Sequence, residues 1–157
     1  MRAVVIHAAK DLRIDNLPTE HLRPGTVRVK LERGGICGSD LHYYQDGRIG
    51  TILLKMPMVL GHEVAGLIDE LGSNVTGLKV GDRVAVNPSR PCGDCRFCSQ
   101  GHQIHCLSMR FYGSAMPFPH IHGAFQESVV AEAAQCFVVP KTTTAAEAAV
   151  CEPLAVC

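Results

Sequence analysis

The chain has 157 residues, enough for one domain with a sizeable core and too few for two. Apolar residues make up 46% and charged residues 19%, which excludes a disordered tail. Fifteen basic residues balance fifteen acidic ones with no block of like charge, so nothing electrostatic favours nucleic acid or an anionic membrane as partner.

Met1 to Ile6 starts like a strand and lacks the long apolar core and cleavage site of a secretory signal, so a cytoplasmic protein is expected. The longest apolar runs, such as Met56 to Leu60, fall far short of a membrane span. Strands rich in Val, Leu and Ile are predicted over Ala3 to Ile6, Thr26 to Glu32, Glu63 to Leu71 and Arg83 to Val86. Turns at Pro24-Gly25, Leu71-Gly72-Ser73-Asn74 and Val80-Gly81-Asp82 separate them. A short helix is predicted through Ser39 to Tyr44. An irregular excursion follows from Asn87 to Pro119, then two more strands, Ala124 to Val130 and Cys136 to Val139, the second closed by Pro140. Thr144-Ala145-Ala146-Glu147 matches a capping box, so a helix is predicted from Thr144 that stops near Pro153. The expected fold class is mainly β with short helices, a small barrel-like domain.

Four of the eight cysteines lie within fifteen residues: Cys92, Cys95, Cys98 and Cys106, in the pattern C-x2-C-x2-C-x7-C. Zinc takes four ligands in a tetrahedron, and closely spaced thiolates on a tight loop supply them. A four-thiolate shell is closed to water and substrate, so this site, in a lobe at about 88–110, is predicted to be structural and to add folding free energy. Ordinary thiols, two disulfides and an iron–sulfur cluster are the alternatives. The last is disfavoured because the ferredoxin pattern places proline after its fourth cysteine, whereas Leu107 follows Cys106. His102 and His105 fall inside the lobe and are read as solvated.

A second set of metal-ligating residue types is spread out: Cys37, His62, Glu63 and Glu152. Cys37 sits among glycines that let backbone approach a bound group, and Gly61-His62-Glu63 opens an otherwise apolar strand. Each also reads blandly, since a buried cysteine is commonly a small hydrophobe and a lone histidine commonly a satisfied polar residue. Spacing alone leaves both readings open.

The segments G-G-I-C-G-S-D-L-H and P-M-V-L-G-H-E-V-A-G, the four-cysteine lobe and C-E-P-L-A-V occur in the order seen in medium-chain zinc dehydrogenases, and the chain resembles that superfamily over essentially its whole length. Glutamate at 152 resembles the sorbitol dehydrogenase branch. The stretch Met109 to His120, with Asp40 to Gln45, is similar to the L-idonate 5-dehydrogenases; His122 and Ala124 depart from that pattern. The resemblance implies a GroES-like distorted β-barrel spanning 1–157 and two zinc ions per chain, one catalytic and one structural. It implies Cys37, His62, Glu63 and Glu152 around the catalytic zinc, Glu152 directly or through water, and a proton path through Ser39 and His42. Tyr43 is a candidate substrate contact. An anionic substrate calls for a cation near the zinc, for which Arg110 is the first candidate and Arg48 the second.

The implied activity is oxidation of a small polyol or sugar acid, L-idonate to 5-dehydrogluconate, with NAD or NADP, by a homo-oligomer (dimer or tetramer). No Gly-x-Gly-x-x-Gly follows a strand anywhere in the chain, and in the resembling family that motif lies in a Rossmann domain beyond the Glu152 segment. These 157 residues alone are therefore expected to have negligible dehydrogenase activity and to expose an apolar face. A non-catalytic zinc-binding module of the same fold is the alternative reading. A redox-active thiol protein is disfavoured by the lack of a Cys-x-x-Cys on a βαβ pattern.

Overall fold

The computed structural model describes all 157 residues. Twelve strands form in chain order: β1 (Arg2–Ala8), β2 (Asp11–Asn16), β3 (Thr26–Gly35), β4 (Arg48–Ile49), β5 (Ile52–Leu53), β6 (Met58–Val59), β7 (Glu63–Leu71), β8 (Arg83–Val86), β9 (Ser89–Arg90), β10 (Arg110–Phe111), β11 (Ser128–Glu132) and β12 (Cys136–Val138). The helices are short: α1 (Gly38–Asp46), α2 (Arg96–Ser99), α3 (Ala145–Ala149) and α4 (Cys151–Val156). An antiparallel five-stranded sheet in the order β11-β3-β7-β8-β12 carries the main core, and a three-stranded sheet β2-β1-β6 packs alongside.

Period-two alternation explains the layers. Val27 and Val29 of β3, Val64 and Ile68 of β7, Val84 and Val86 of β8, and Val129 and Ala131 of β11 fill one cluster on the inner face. Ala65 and Ala85 point to the opposite face, where Ala148 and Ala149 of α3 pack on them. Small residues on both sides let the helix lie close to the strands. Thr144 caps α3, its hydroxyl accepting the Glu147 amide while the Glu147 carboxylate accepts the Thr144 amide, as the capping box requires.

The predicted strands at Glu63–Leu71 and Arg83–Val86 are found at those bounds. Three readings need correction. The strand predicted from Ala124 begins only at Ser128, because residues 124–125 turn their backbone to the 59–61 segment instead, with Ala124 donating to Gly61 and Phe125 to Leu60. Pro153 does not stop the helical region: it lies in the first turn of α4, where a missing N–H has no intrahelical partner to lose. The predicted excursion holds ordered structure, the β9–β10 ribbon and α2. No helix is long and apolar enough to cross a membrane.

Candidate metal centres

Cys92, Cys95, Cys98 and Cys106 converge with their sulfurs all within 4.8 Å of one another. Contacts of 3.5 Å (Cys95–Cys98), 3.4 Å (Cys106–Cys92) and 3.9 Å (Cys92–Cys98) lie far outside disulfide bonding. With Zn–S bonds of about 2.3 Å, a tetrahedral four-thiolate site has sulfur–sulfur edges of about 3.8 Å. Donor chemistry and spacing therefore fit zinc.

Backbone amides supply the local electrostatics. The Cys92 and Ser108 amides donate to Cys106 Sγ at 3.2 and 3.4 Å and lower its pKa. Amides around Cys95, that of Leu107 foremost, bring that thiol down to about 6. The Asp94 carboxylate pushes Cys92 up to about 12, and burial raises Cys98. A dication would reverse these last two by compensating the clustered negative charge. His102 and His105 are exposed, as read from the sequence.

A second cluster joins Cys37, His62 and Glu63, whose ligand atoms also lie within 4.8 Å of one another. The β3–β7 register makes this pairing: Gly35 sits opposite Glu63, so the chain leaving β3 carries Cys37 alongside the start of β7. Gly35 leaves room for the Glu63 carboxylate, since a Cβ there would meet Glu63 Oε2 and push that side chain aside. Gly61 is required twice over: its φ is +92°, and a Cβ would strike the Phe125 ring. His62 and Glu63 are buried while Cys37 is half-buried, so the cluster opens on one side. A thiolate, an imidazole and a carboxylate with an open side form a donor set that fits catalytic zinc.

Asp40 holds the cluster's two segments together. Its buried carboxylate accepts the Cys37 amide at 3.0 Å and the Gly61 amide at 3.1 Å. The α1 N-cap is Cys37, with Asp40 at the third helical position. Phe111 lies against the His62 ring at 5.2 Å between centroids. Neither Asp40 nor Phe111 was singled out from sequence. The signal for Asp40 was an acidic residue three positions after the cap; Phe111 had none, because its contact depends on the β9–β10 ribbon.

Glu152, half-buried in α4, lies outside the three-residue cluster but within electrostatic reach of it: burial raises its carboxyl pKa, with His62 lowering and Glu63 raising it. Ser39 is half-buried and His42, three residues on along α1, is exposed beside Asp46 at 3.7 Å. Tyr43 is buried at 2% exposure in a cluster with Ile6, Met58 and Leu60, and its hydroxyl accepts the Ala115 amide at 3.0 Å. Burial raises its pKa. Arg110 lines a separate pocket with Arg23, Arg90 and His122, to which none of Cys37, His62, Glu63 and Glu152 contributes. Arg48 is exposed on the β4–β5 hairpin.

The family model for the alcohol dehydrogenase GroES-like domain matches residues 23–141. The chain belongs to this family. Among curated relatives of this chain, L-idonate 5-dehydrogenase (NAD(P)(+)) of Escherichia coli (strain K12) is 43% identical over 155 residues, covering 99% of this chain and 44% of that protein. Sorbitol dehydrogenase of Bacillus subtilis (strain 168) is 40% identical, covering 99% and 43%. The crystal structure of the Escherichia coli L-idonate 5-dehydrogenase superposes with a TM-score of 0.92 at 42% identity, over 99% of this chain and 44% of that one. The chain thus spans less than half the length of the relatives it matches.

Proposed function

We propose that this chain is the metal-binding catalytic part of a zinc-dependent polyol or sugar-acid dehydrogenase, whose whole protein oxidises L-idonate to 5-dehydrogluconate with NAD or NADP. The observation that carries the reading is the convergence of Cys37, His62 and Glu63, buried on one side and open on the other, apart from a four-cysteine lobe. Support for the substrate class comes from relatives named as L-idonate and sorbitol dehydrogenases at 40–43% identity.

Zinc bound at the open cluster would act as a Lewis acid, lowering the pKa of a substrate hydroxyl and so preparing the carbon for hydride loss to a nicotinamide. The protein's own contribution is placement. Cys37 and His62 offer the thiolate and imidazole, Glu63 a carboxylate, and Glu152 a further carboxylate at the approach to the cluster. Asp40 fixes the relative position of the two ligand segments. Ser39 and His42 share a face of α1 at i,i+3 spacing and lead from the cluster towards solvent, a path for the hydroxyl proton. Phe111 covers the His62 ring and narrows the site. Tyr43 acts through position, setting the loop that carries Ala115. The remaining polyol or acid groups, the nicotinamide and any subunit partner are bound in the whole protein.

Metal analysis tests this. Two zinc ions per chain, one of them lost in His62→Gln, is the expected result; one zinc per chain, unaffected by His62→Gln, favours a non-catalytic zinc module. The isolated 157 residues are expected to show no NAD(P)-dependent oxidation of idonate, sorbitol or xylitol, and measurable turnover would contradict that part of the reading.

A further inference from the structure

We propose that the pocket between the β9–β10 ribbon and residues 120–122 binds a small oxyanion, a phosphoryl or carboxylate group, at a site lined by no ligand of either metal centre, with Phe111 as the wall it shares with His62. Arg90 and Arg110 are direct partners in the antiparallel register of that ribbon. Directly opposite residues share a face, so two like charges project from one side of the ribbon into the same pocket, an arrangement that destabilises a ribbon unless compensated. Arg23 lines the same pocket. The carboxylates at hand are already committed: Glu132 lies 3.4 Å from Arg90 and 4.0 Å from Arg23, and Glu20 lies 3.5 Å from Arg23. Arg110 has no carboxylate partner among the ion pairs of the chain.

The uncharged lining adds donors rather than acceptors. His122 Nδ1 accepts the Val59 amide at 3.0 Å, so the proton of the neutral ring resides on Nε2 and is free to be donated. His120 is closed to a ligand, with Nε2 accepting the Lys55 amide at 2.8 Å and Nδ1 donating to the Pro117 carbonyl at 2.9 Å. The Tyr112 hydroxyl donates to the Val130 carbonyl at 3.3 Å. What remains unpartnered is the Arg110 fork and the His122 Nε2–H. Both can only donate, and a guanidinium fork matches the paired oxygens of carboxylate and phosphate. Pro88 and Val130 give apolar walls, which strengthen such charge-assisted bonds. The cavity volume, about 230 Å³, suits a small anionic group rather than a dinucleotide.

Calorimetric titration of the zinc-loaded chain with inorganic phosphate, and separately with gluconate, tests the site in wild type, Arg110→Gln and His62→Gln. At least one anion is expected to bind saturably, about tenfold more weakly in Arg110→Gln and within about twofold of wild type in His62→Gln. The tighter of the two identifies the group as phosphoryl or carboxylate. Absence of binding for both, equal binding by Arg110→Gln, or loss in His62→Gln overturns the proposal, the last by placing the anion at the metal cluster. Arg110 is exposed, so its variant is expected to keep the wild-type amide spectrum. Should His62→Gln unfold, Cys37→Ser takes its place with the same expected result. The dehydrogenase reading stands or falls separately, on zinc stoichiometry.

Discussion

The Asp40 carboxylate accepts the Gly61 amide at 3.1 Å across 21 residues of sequence, and its other oxygen accepts the Cys37 amide at 3.0 Å. One buried side chain thereby fixes the distance between the loop that presents Cys37 and the turn that presents His62. The arrangement is a capping box whose acidic member also reaches a neighbouring segment. Asp40→Ala leaves two amides without acceptors, one of them buried. A destabilisation of about 3 kcal/mol in urea unfolding is expected, with zinc content falling from two towards one per chain. Asp40→Asn keeps one acceptor oxygen and is expected to fall between the two. Unchanged zinc content in Asp40→Ala would show that the ligands hold their positions without this bridge.

The four-cysteine lobe has few apolar residues of its own, and of its cysteines only Cys98 is buried. Removing one ligand is therefore expected to disorder the lobe locally and leave the sheets intact. Cys98→Ser should release one zinc and raise amide exchange over 88–110, while protection in β3, β7 and β8 stays within about threefold of wild type. Exchange that rises through those strands as well would mean that the lobe and the barrel fold as one unit.

Much of this was legible in the sequence, for reasons that differ by site. The four cysteines lie within fifteen residues, so local turns alone bring them together and their spacing suffices. Cys37 and His62 are 25 positions apart and meet only through the β3–β7 register, including its bulges between Arg28 and Val29 and between Leu31 and Arg33. Periodicity within one strand carries no information about such a register. β7 and β8 stood out because their apolar runs are bounded by turn residues. β2 did not, because as an outer strand of its sheet it carries Asp11, Arg13 and Asp15 among its six residues. Arg110 was read as a cation near the zinc, whereas its side chain lines a pocket to which none of Cys37, His62, Glu63 and Glu152 contributes. Phe111, its neighbour on β10, is the one found against His62.

Cys136 gives a pH dependence with a definite sign. Burial pushes its thiol up to about 12 from an ordinary value of 9.0. Above pH 9 the unfolded chain gives up this proton and the folded chain keeps it, so stability is lost as pH rises towards 12. Cys136→Ala removes the titrating group, and the wild type is expected to lose stability more steeply than the variant between pH 9 and 11. At pH 8 iodoacetamide should label the exposed Cys151 and Cys157 in the native protein and reach Cys136 only after unfolding. Native labelling of Cys136, read by peptide mass, would contradict its place in the core.

Tyr43 separates a structural from a substrate-contacting role. Its ring is packed with Ile6, Met58 and Leu60, and its hydroxyl accepts the amide of the buried Ala115, 72 residues away. That hydrogen bond pins the 112–116 segment to α1. Tyr43→Phe keeps the ring and strands the Ala115 amide, which is expected to cost about 1–2 kcal/mol in thermal or urea unfolding and to speed exchange at Ala115. If the hydroxyl acts through loop position, the whole enzyme carrying Tyr43→Phe should lose similar fractions of kcat/KM for idonate and for sorbitol. A direct bond to one substrate's hydroxyl or carboxylate would instead penalise that substrate alone, with stability close to wild type. Measuring unfolding and both kcat/KM values on the same variant therefore decides between the two roles.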